Sequence, residues 1–223
     1  MILHFTKKLQ DFDFLICFDL AKFETGVSLL NIKDLNNIKL ENYYQISIDK
    51  KTEEPFGDFY NALGGLFSHI QAYIGDLSKV LVVREKQPSG FNVTTTISTL
   101  QALAGIHAIL DVYVSALQLT EYEDGIHASS VKAWARKMTN IDKPQKEDIK
   151  KFLENKYPSL RKENATLDIS DSVAVGQCLI DSKWNADIKD KIKELKKKIK
   201  ELKLQVAKDK IEKTIEEYNN KLI

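Results

Sequence analysis

The stretch 14–30, FLICFDLAKFETGVSLL, holds two apolar runs around a short polar break, and the first run ends on a carboxylate, Asp19. Two such runs read as adjacent antiparallel strands over 13–20 and 24–32. The turn is placed at Thr25-Gly26, where glycine can take a backbone angle that other residues avoid. A third segment, IKLENYYQISID (38–49), alternates polar and apolar positions as a half-exposed strand does. Three antiparallel strands in succession make a meander. The acid is the anomaly. A buried unpaired charge is expensive, so Asp19 needs a partner, a metal, or water at a strand end.

Downstream, PFGDFYNALGGLFSHIQAYIG (55–75) has helical spacing at Phe59, Leu63, Leu66, Phe67 and Ile70, and KVLVVRE (79–85) reads as a short apolar strand ending on Glu85. NVTTTISTLQALAGIHAILDVYV (92–114) is a long helix with little charge before Asp111. A helix so apolar is buried on more than one side, in the core or against another subunit. SALQLTE (115–121) suits a fifth strand, helical pieces follow near 129–137 and 145–155, and another helix begins near Asp168. This order gives an α/β mixed five-stranded sheet with helices on its faces and parallel central strands. Sites in such sheets form where strands end and loops diverge.

Residues 1–184 are expected to form that domain, and 185–223 a charged C-terminal helical extension. In the extension Ile188, Ile192, Leu195, Ile199, Leu202 and Val206 alternate spacings of four and three, a coiled-coil-like seam. The frame slips before Ile211, Ile215, Tyr218 and Leu222, so two short helices or one with a discontinuity are expected. A solvated helix packing one stripe on the domain, coiled-coil pairing and DNA contact all fit this pattern.

Only two cysteines occur, Cys17 and Cys178, both inside apolar segments. That reads as two buried free thiols in a reducing compartment. No signal-peptide pattern opens the chain, and no apolar run is judged long enough to span a bilayer, so a cytoplasmic protein without a membrane partner is expected. Net charge is only +1, but its distribution is uneven. Residues 1–131 carry 10 basic and 16 acidic side chains, and residues 132–163 carry 10 and 5. Residues 183–223 carry 13 and 8. An acidic front with basic blocks behind it suits a protein that gathers cations in one place and phosphates in another.

Four acids form the candidate constellation. Asp19 and Glu85 end apolar strands, while Asp168 and Asp171 are three apart and share one helix face. Each has an ordinary alternative: Asp19 capping a turn, Glu85 pairing with Arg84 or Lys86, Asp168 as an N-cap with Asp171 favouring the helix dipole. Taken together they are a like-charge cluster that is unfavourable without cations. Oxygen ligands select a hard ion, Mg2+ or Mn2+, over zinc. Two such ions about 3.5–4 Å apart serve phosphodiester cleavage.

With these residues assembled, the chain resembles the RuvC-type Holliday junction resolvases of the RNase H-like superfamily, in a bacteriophage version. The resemblance rests on FDLAKFETGVSLL, VVREKQPSGFN, SSVKAWARK with PQKEDIKKFL, and DISDSVAVG, in that order. It implies an RNase H-like fold and Asp19, Glu85, Asp168 and Asp171 as metal-binding catalytic acids, with two Mg2+ per active site. It further implies Lys132 and Lys146 near the scissile phosphate, with Lys86, Arg136 and Lys137 also placed on DNA. Branched DNA as substrate and a homodimer making two opposed cuts follow from it as well. The sequence departs from the family at Leu20-Ala21, where Pro-Gly is usual, and at Pro88, where an aromatic wedge is usual. Phe91 is the substitute wedge, and a relaxed sequence preference is expected. Hydrolysis of RNA in hybrids, or a non-catalytic junction binder or scaffold, are the alternatives. No nucleotide cofactor is expected, because Gly64-Gly65 falls within a helix and supplies no phosphate loop.

Overall fold

The computed structural model describes residues 8–86, 96–122 and 125–219. Strands β1 (Phe14–Asp19), β2 (Glu24–Asn31) and β3 (Lys39–Ser47) are followed by helix α1 (Pro55–Ile74) and strand β4 (Val80–Arg84). Helix α2 (Ile97–Ala116), strand β5 (Thr120–Glu121) and helices α3 (Ala128–Thr139), α4 (Lys146–Lys156) and α5 (Leu167–Asn219) complete the chain. The five strands lie in the order β3-β2-β1-β4-β5. β1–β2 and β2–β3 are antiparallel, whereas β1–β4 and β4–β5 are parallel.

Strand side chains alternate between faces, and the two cores follow that alternation. Ile16, Phe18, Val80 and Val82 join α1 and α2 through Phe59, Leu63, Ile106 and Leu110. Leu15, Cys17, Leu81 and Val83 join α3, α4 and the start of α5 through Trp134, Leu153, Val173 and Val175. β1 and β4 are thus the doubly covered centre, which is why they read as unbroken apolar runs. Proline at the first turn and Gly75 at φ 82° bound α1, the usual asymmetry of start and stop.

Several expectations need correction. Thr25 and Gly26 are not a turn: both lie in β2, Gly26 opposite Asp19. The chain reverses before them, and the Thr25 hydroxyl closes the loop by accepting from the Ala21 N–H and donating to its carbonyl, both at 3.2 Å. Glycine is needed at 26 for a different reason, since a Cβ there would stand 2.0 Å from the Asp168 carbonyl oxygen. The segment 115–121 is mostly not strand. The apolar periodicity carries α2 to Ala116, and Gln118 at φ 52° turns the chain into a two-residue β5.

α2 also corrects the bilayer reading, being long and apolar enough to cross a membrane by length and composition. Here it is a layer of the fold, with Ala102, Ile106, Leu110 and Val114 buried.

The helix of the extension is not broken. The site helix and the charged tail are one 53-residue helix, and the slip in the seam leaves the backbone helical. The chain divides into two compact units at Asp181/Ser182, with the tail forming the second.

Candidate active site

The site follows from strand parity. Leu15 and Cys17 face the α5 layer, so the next side chain of that parity, Asp19, leaves the rim on the same side. In β4, Leu81 and Val83 do the same, and Glu85 is next. β1 and β4 run in parallel with Phe18 opposite Arg84, and the Glu85 N–H donates to the Phe18 carbonyl at 3.3 Å. Two carboxylates therefore leave neighbouring strand ends side by side. Arg84, of opposite parity, lies on the α2 face, which removes the alternative of Glu85 pairing with Arg84.

The other two acids arrive with α5. Its first turn is capped by Thr166, whose hydroxyl accepts the Ile169 N–H at 3.3 Å. Thr166, not Asp168, is the cap. That hydroxyl also donates to the Gln45 side chain at 2.5 Å, and Gln45 donates to Glu24 at 2.6 Å, tying the helix start to β3 and β2. Close approach does the rest. Gly26 admits the Asp168 backbone, and at Gly176 a Cβ would lie 2.3 Å from the Cys17 sulfur. With α5 seated this tightly, carboxylate oxygens of Asp19, Asp168 and Asp171 lie within 4.8 Å of one another. Glu85 stands outside that triad but within its electrostatic reach, because the Asp171 charge acts on it.

Lys146, at the first position of α4, enters this cluster. Its Nζ lies 2.5 Å from Asp171 Oδ2 and 3.7 Å from Asp168 Oδ1. One lysine does not balance the acids. Burial first, and then the charges of Asp171 and Glu85, raise the Asp19 carboxyl from 3.8 to about 7. Asp171 and Glu85 are also raised, in each case mainly by burial. Burial acts against the Lys146 charge, yet its bond to Asp171 and the fields of Asp171, Asp19 and Asp168 outweigh that and raise its pKa. Asp19, Asp168 and Asp171 together form a half-buried set of carboxylate oxygens that could hold a metal ion.

The remaining sequence candidates surround this centre unevenly. Lys132 on α3 is exposed and its charge acts on Glu85. Lys86 is exposed beside Glu85, and its N–H donates to the Ile126 carbonyl at 2.8 Å. Arg136 is turned to its own loop, donating to the Asp142 carbonyl at 2.7 Å and lying 3.4 Å from the Asp142 carboxylate. Lys137 is exposed in the last turn of α3. Phe91 falls outside the described residues.

Sequence reasoning missed two groups. One is the Gln45–Glu24–Thr166 chain, visible only as polar residues on strand ends. The other is on the α2 face, where Arg84 pairs with Asp111, contacts Glu121 at 2.7 Å and donates to the His107 carbonyl at 3.1 Å.

A mixed sheet in the order antiparallel meander then parallel strands, flanked by helices, matches the RNase H-like fold. No protein-family model and no curated protein matches the sequence. Solved structures do. RuvC of Thermus thermophilus in complex with a Holliday junction substrate matches with a TM-score of 0.55 at 11% identity, covering 78% of this chain and 95% of that one. The yeast mitochondrial Holliday junction resolvase Ydc2 matches with a TM-score of 0.54 at 11% identity, covering 83% of each chain. The chain has the RuvC-type resolvase fold.

Proposed function

We propose that this protein is a divalent-metal-dependent endonuclease that cuts branched DNA, Holliday junctions foremost, by phosphodiester hydrolysis as a homodimer. The observation that carries the reading is the meeting of Asp19, Asp168 and Asp171 with Lys146 at the rim where β1 ends. Junction-bound RuvC sharing this fold supports it. In this reading Asp19, Glu85, Asp168 and Asp171 hold two Mg2+ ions, with Mn2+ as a substitute. Bound there, the ions would supply activation of an attacking water and stabilisation of the leaving oxygen.

The chain's own groups do the remaining work. Thr166, Gly26 and Gly176 fix where the α5 acids sit relative to Asp19. Lys146 and Lys132 offer positive charge beside a phosphate at the acids, where negative charge develops. Lys86, Arg136 and Lys137 belong to the basic surface that follows the DNA backbone. Phe91 is the wedge residue at the branch, and sequence preference is relaxed. α2 packs one face on the sheet while Ile97 and Val112 on its outer side are 64% and 54% exposed, and that outer side is the subunit contact. The nuclease is residues 1–184, with 185–223 as its appendage, and it acts in the cytoplasm.

The test is incubation of the protein with a labelled four-way junction, a fork, linear duplex and an RNA–DNA hybrid, with and without Mg2+. Paired cuts in the junction that require Mg2+ and vanish in Asp19→Asn and Glu85→Gln, with folding intact, are expected. Faster cutting of the hybrid would replace this reading with a hybrid nuclease, and binding without any cutting would replace it with a junction scaffold.

A further inference from the structure

The tail unit, Ser182–Ile223, is helical through Asn219. Its side chains from Lys193 to Ile199 are all exposed, and among them Leu195 and Ile199 are each 52% exposed. These two lie one turn apart on the same helix face. In sequence they belong to the seam Ile188, Ile192, Leu195, Ile199, Leu202 and Val206, which places them at alternating core positions of a heptad.

The residues flanking that seam decide what can lie on it. They are Lys189, Lys191, Lys196, Lys198, Lys203 and Gln205, five lysines and no acid. In a coiled coil these flanks face the flanks of the partner. Two copies of this segment place lysine opposite lysine in either orientation. Sliding one copy onto the later seam does not help, since the flanks there are Glu212, Thr214, Asn219 and Lys221, with a single acid. The acids of 188–206 lie elsewhere: by heptad position Asp190, Glu194 and Glu201 fall away from the seam. From there Glu201 reaches Lys197 at 3.9 Å, and Glu194 reaches the flank lysine Lys198 at 2.8 Å, so one of the five flank charges is partly answered within the helix itself. Like charges at these positions select against self-pairing, as heptad proteins use them to choose partners. A phosphate backbone would match the lysines but gives no reason for an apolar residue at every seam position.

We infer that residues 188–206 are a docking helix for a different protein, whose own helix carries an apolar heptad seam flanked by Glu or Asp. The nuclease thereby carries its own address to an acidic coiled-coil partner.

The test uses the full chain and three synthetic peptides: an Ile/Leu heptad helix with Glu at both flanks, its sequence-scrambled version, and the same helix with Lys flanks. Binding is read by fluorescence anisotropy at physiological salt, and assembly mass by light scattering. The Glu-flanked helix is expected to bind and the other two to fail. Leu195→Asp with Ile199→Asp should weaken binding at least about tenfold, the loss of two buried apolar contacts, with junction cleavage unchanged. Lys196→Glu with Lys198→Glu should transfer the preference to the Lys-flanked peptide. Equal binding of the scrambled acidic peptide would overturn the inference in favour of a polyanion surface. A fall in assembly mass on Leu195→Asp would overturn it in favour of self-pairing, and binding of no peptide would remove it.

Discussion

With no divalent ion present, Asp19→Asn is expected to make the protein more stable. The Asp19 carboxyl is raised from 3.8 to about 7, by burial first and then by Asp171 and Glu85. A raised carboxyl pKa means that the folded chain holds this proton more tightly than the unfolded chain. Folding stability is then complete below about pH 4 and is lost as pH rises towards about 7. At about 1.36 kcal/mol per tenfold, the interval corresponds to roughly 4 kcal/mol. The open side of the cluster screens part of this, leaving about 2–4 kcal/mol as the cost of ionised Asp19 at pH 8. Asn keeps the shape and removes the charge.

The assay is urea unfolding in EDTA, followed by tryptophan fluorescence from buried Trp134. With a slope of about 2 kcal/mol per molar urea, the variant's midpoint should lie about 1–2 M higher at pH 8. At pH 4.5 the gap should shrink to about a quarter of that. Adding Mg2+ at pH 8 should raise the wild-type midpoint far more than the variant's, since binding stabilises only the form that binds. A variant equal to or weaker than wild type at pH 8 would refute the electrostatic account of the acid cluster. A gap unchanged at pH 4.5 would show that ionisation is not its cause.

Other substitutions probe neighbouring parts of the same arrangement. Lys146→Met removes the ammonium held against Asp171, so calorimetry should show Mg2+ binding about twofold to fivefold tighter, the worth of an exposed ion pair, while junction cleavage falls. An unchanged affinity would mean the lysine does not compete for the acids. Gly26→Ala drives a methyl into the Asp168 carbonyl, an overpacking cost of about 1–3 kcal/mol in thermal unfolding, with a larger loss of cleavage because the α5 acids shift. Arg84→Met strands Glu121 and Asp111 and should cost about 3 kcal/mol. His107, lowered to about 4 by burial and then by the Arg84 charge, should titrate higher in that variant by NMR.

What the sequence made legible was local. The unbroken apolar runs before Asp19 and Glu85 identify doubly covered strands, and strand parity then says which way each acid points. The three-residue spacing of Asp168 and Asp171 likewise places both on one face of a helix. Their meeting with Asp19 was expected from the constellation and the resemblance, but the contacts that bring it about were not legible, because they depend on how closely α5 approaches β1 and β2. That approach is set by two glycines whose neighbours are far away in sequence: Gly26 under Asp168 and Gly176 over Cys17. Read locally, Gly26 looked like a turn residue. Lys146 shows the same limit from the other side, since nothing in its surroundings along the chain marks it as the ion-pair partner of Asp171. The end of α2 was misplaced because Val114 and Leu119 suit a helix and a strand equally well, and only the positive φ of Gln118 separates the two.

The end of β4 shows how the fold tolerates its own acid cluster. Arg84 and Glu85 are consecutive, so the pleat sends them to opposite faces. On the α2 face, Arg84 is held by Asp111, Glu121 and His107, and opposite charges there are matched. On the α5 face, Glu85 joins Asp19 and Asp171, which burial first and neighbouring acids second hold above their ordinary pKa values. The first arrangement fixes the strand end; the second destabilises it, and in the function proposed above a bound cation would relieve it. Because the two are linked by one peptide bond, loosening Arg84 would move Glu85 relative to Asp171 without touching the acids themselves. Defects on the α2 face should therefore appear as altered Mg2+ dependence of cleavage before they appear as unfolding.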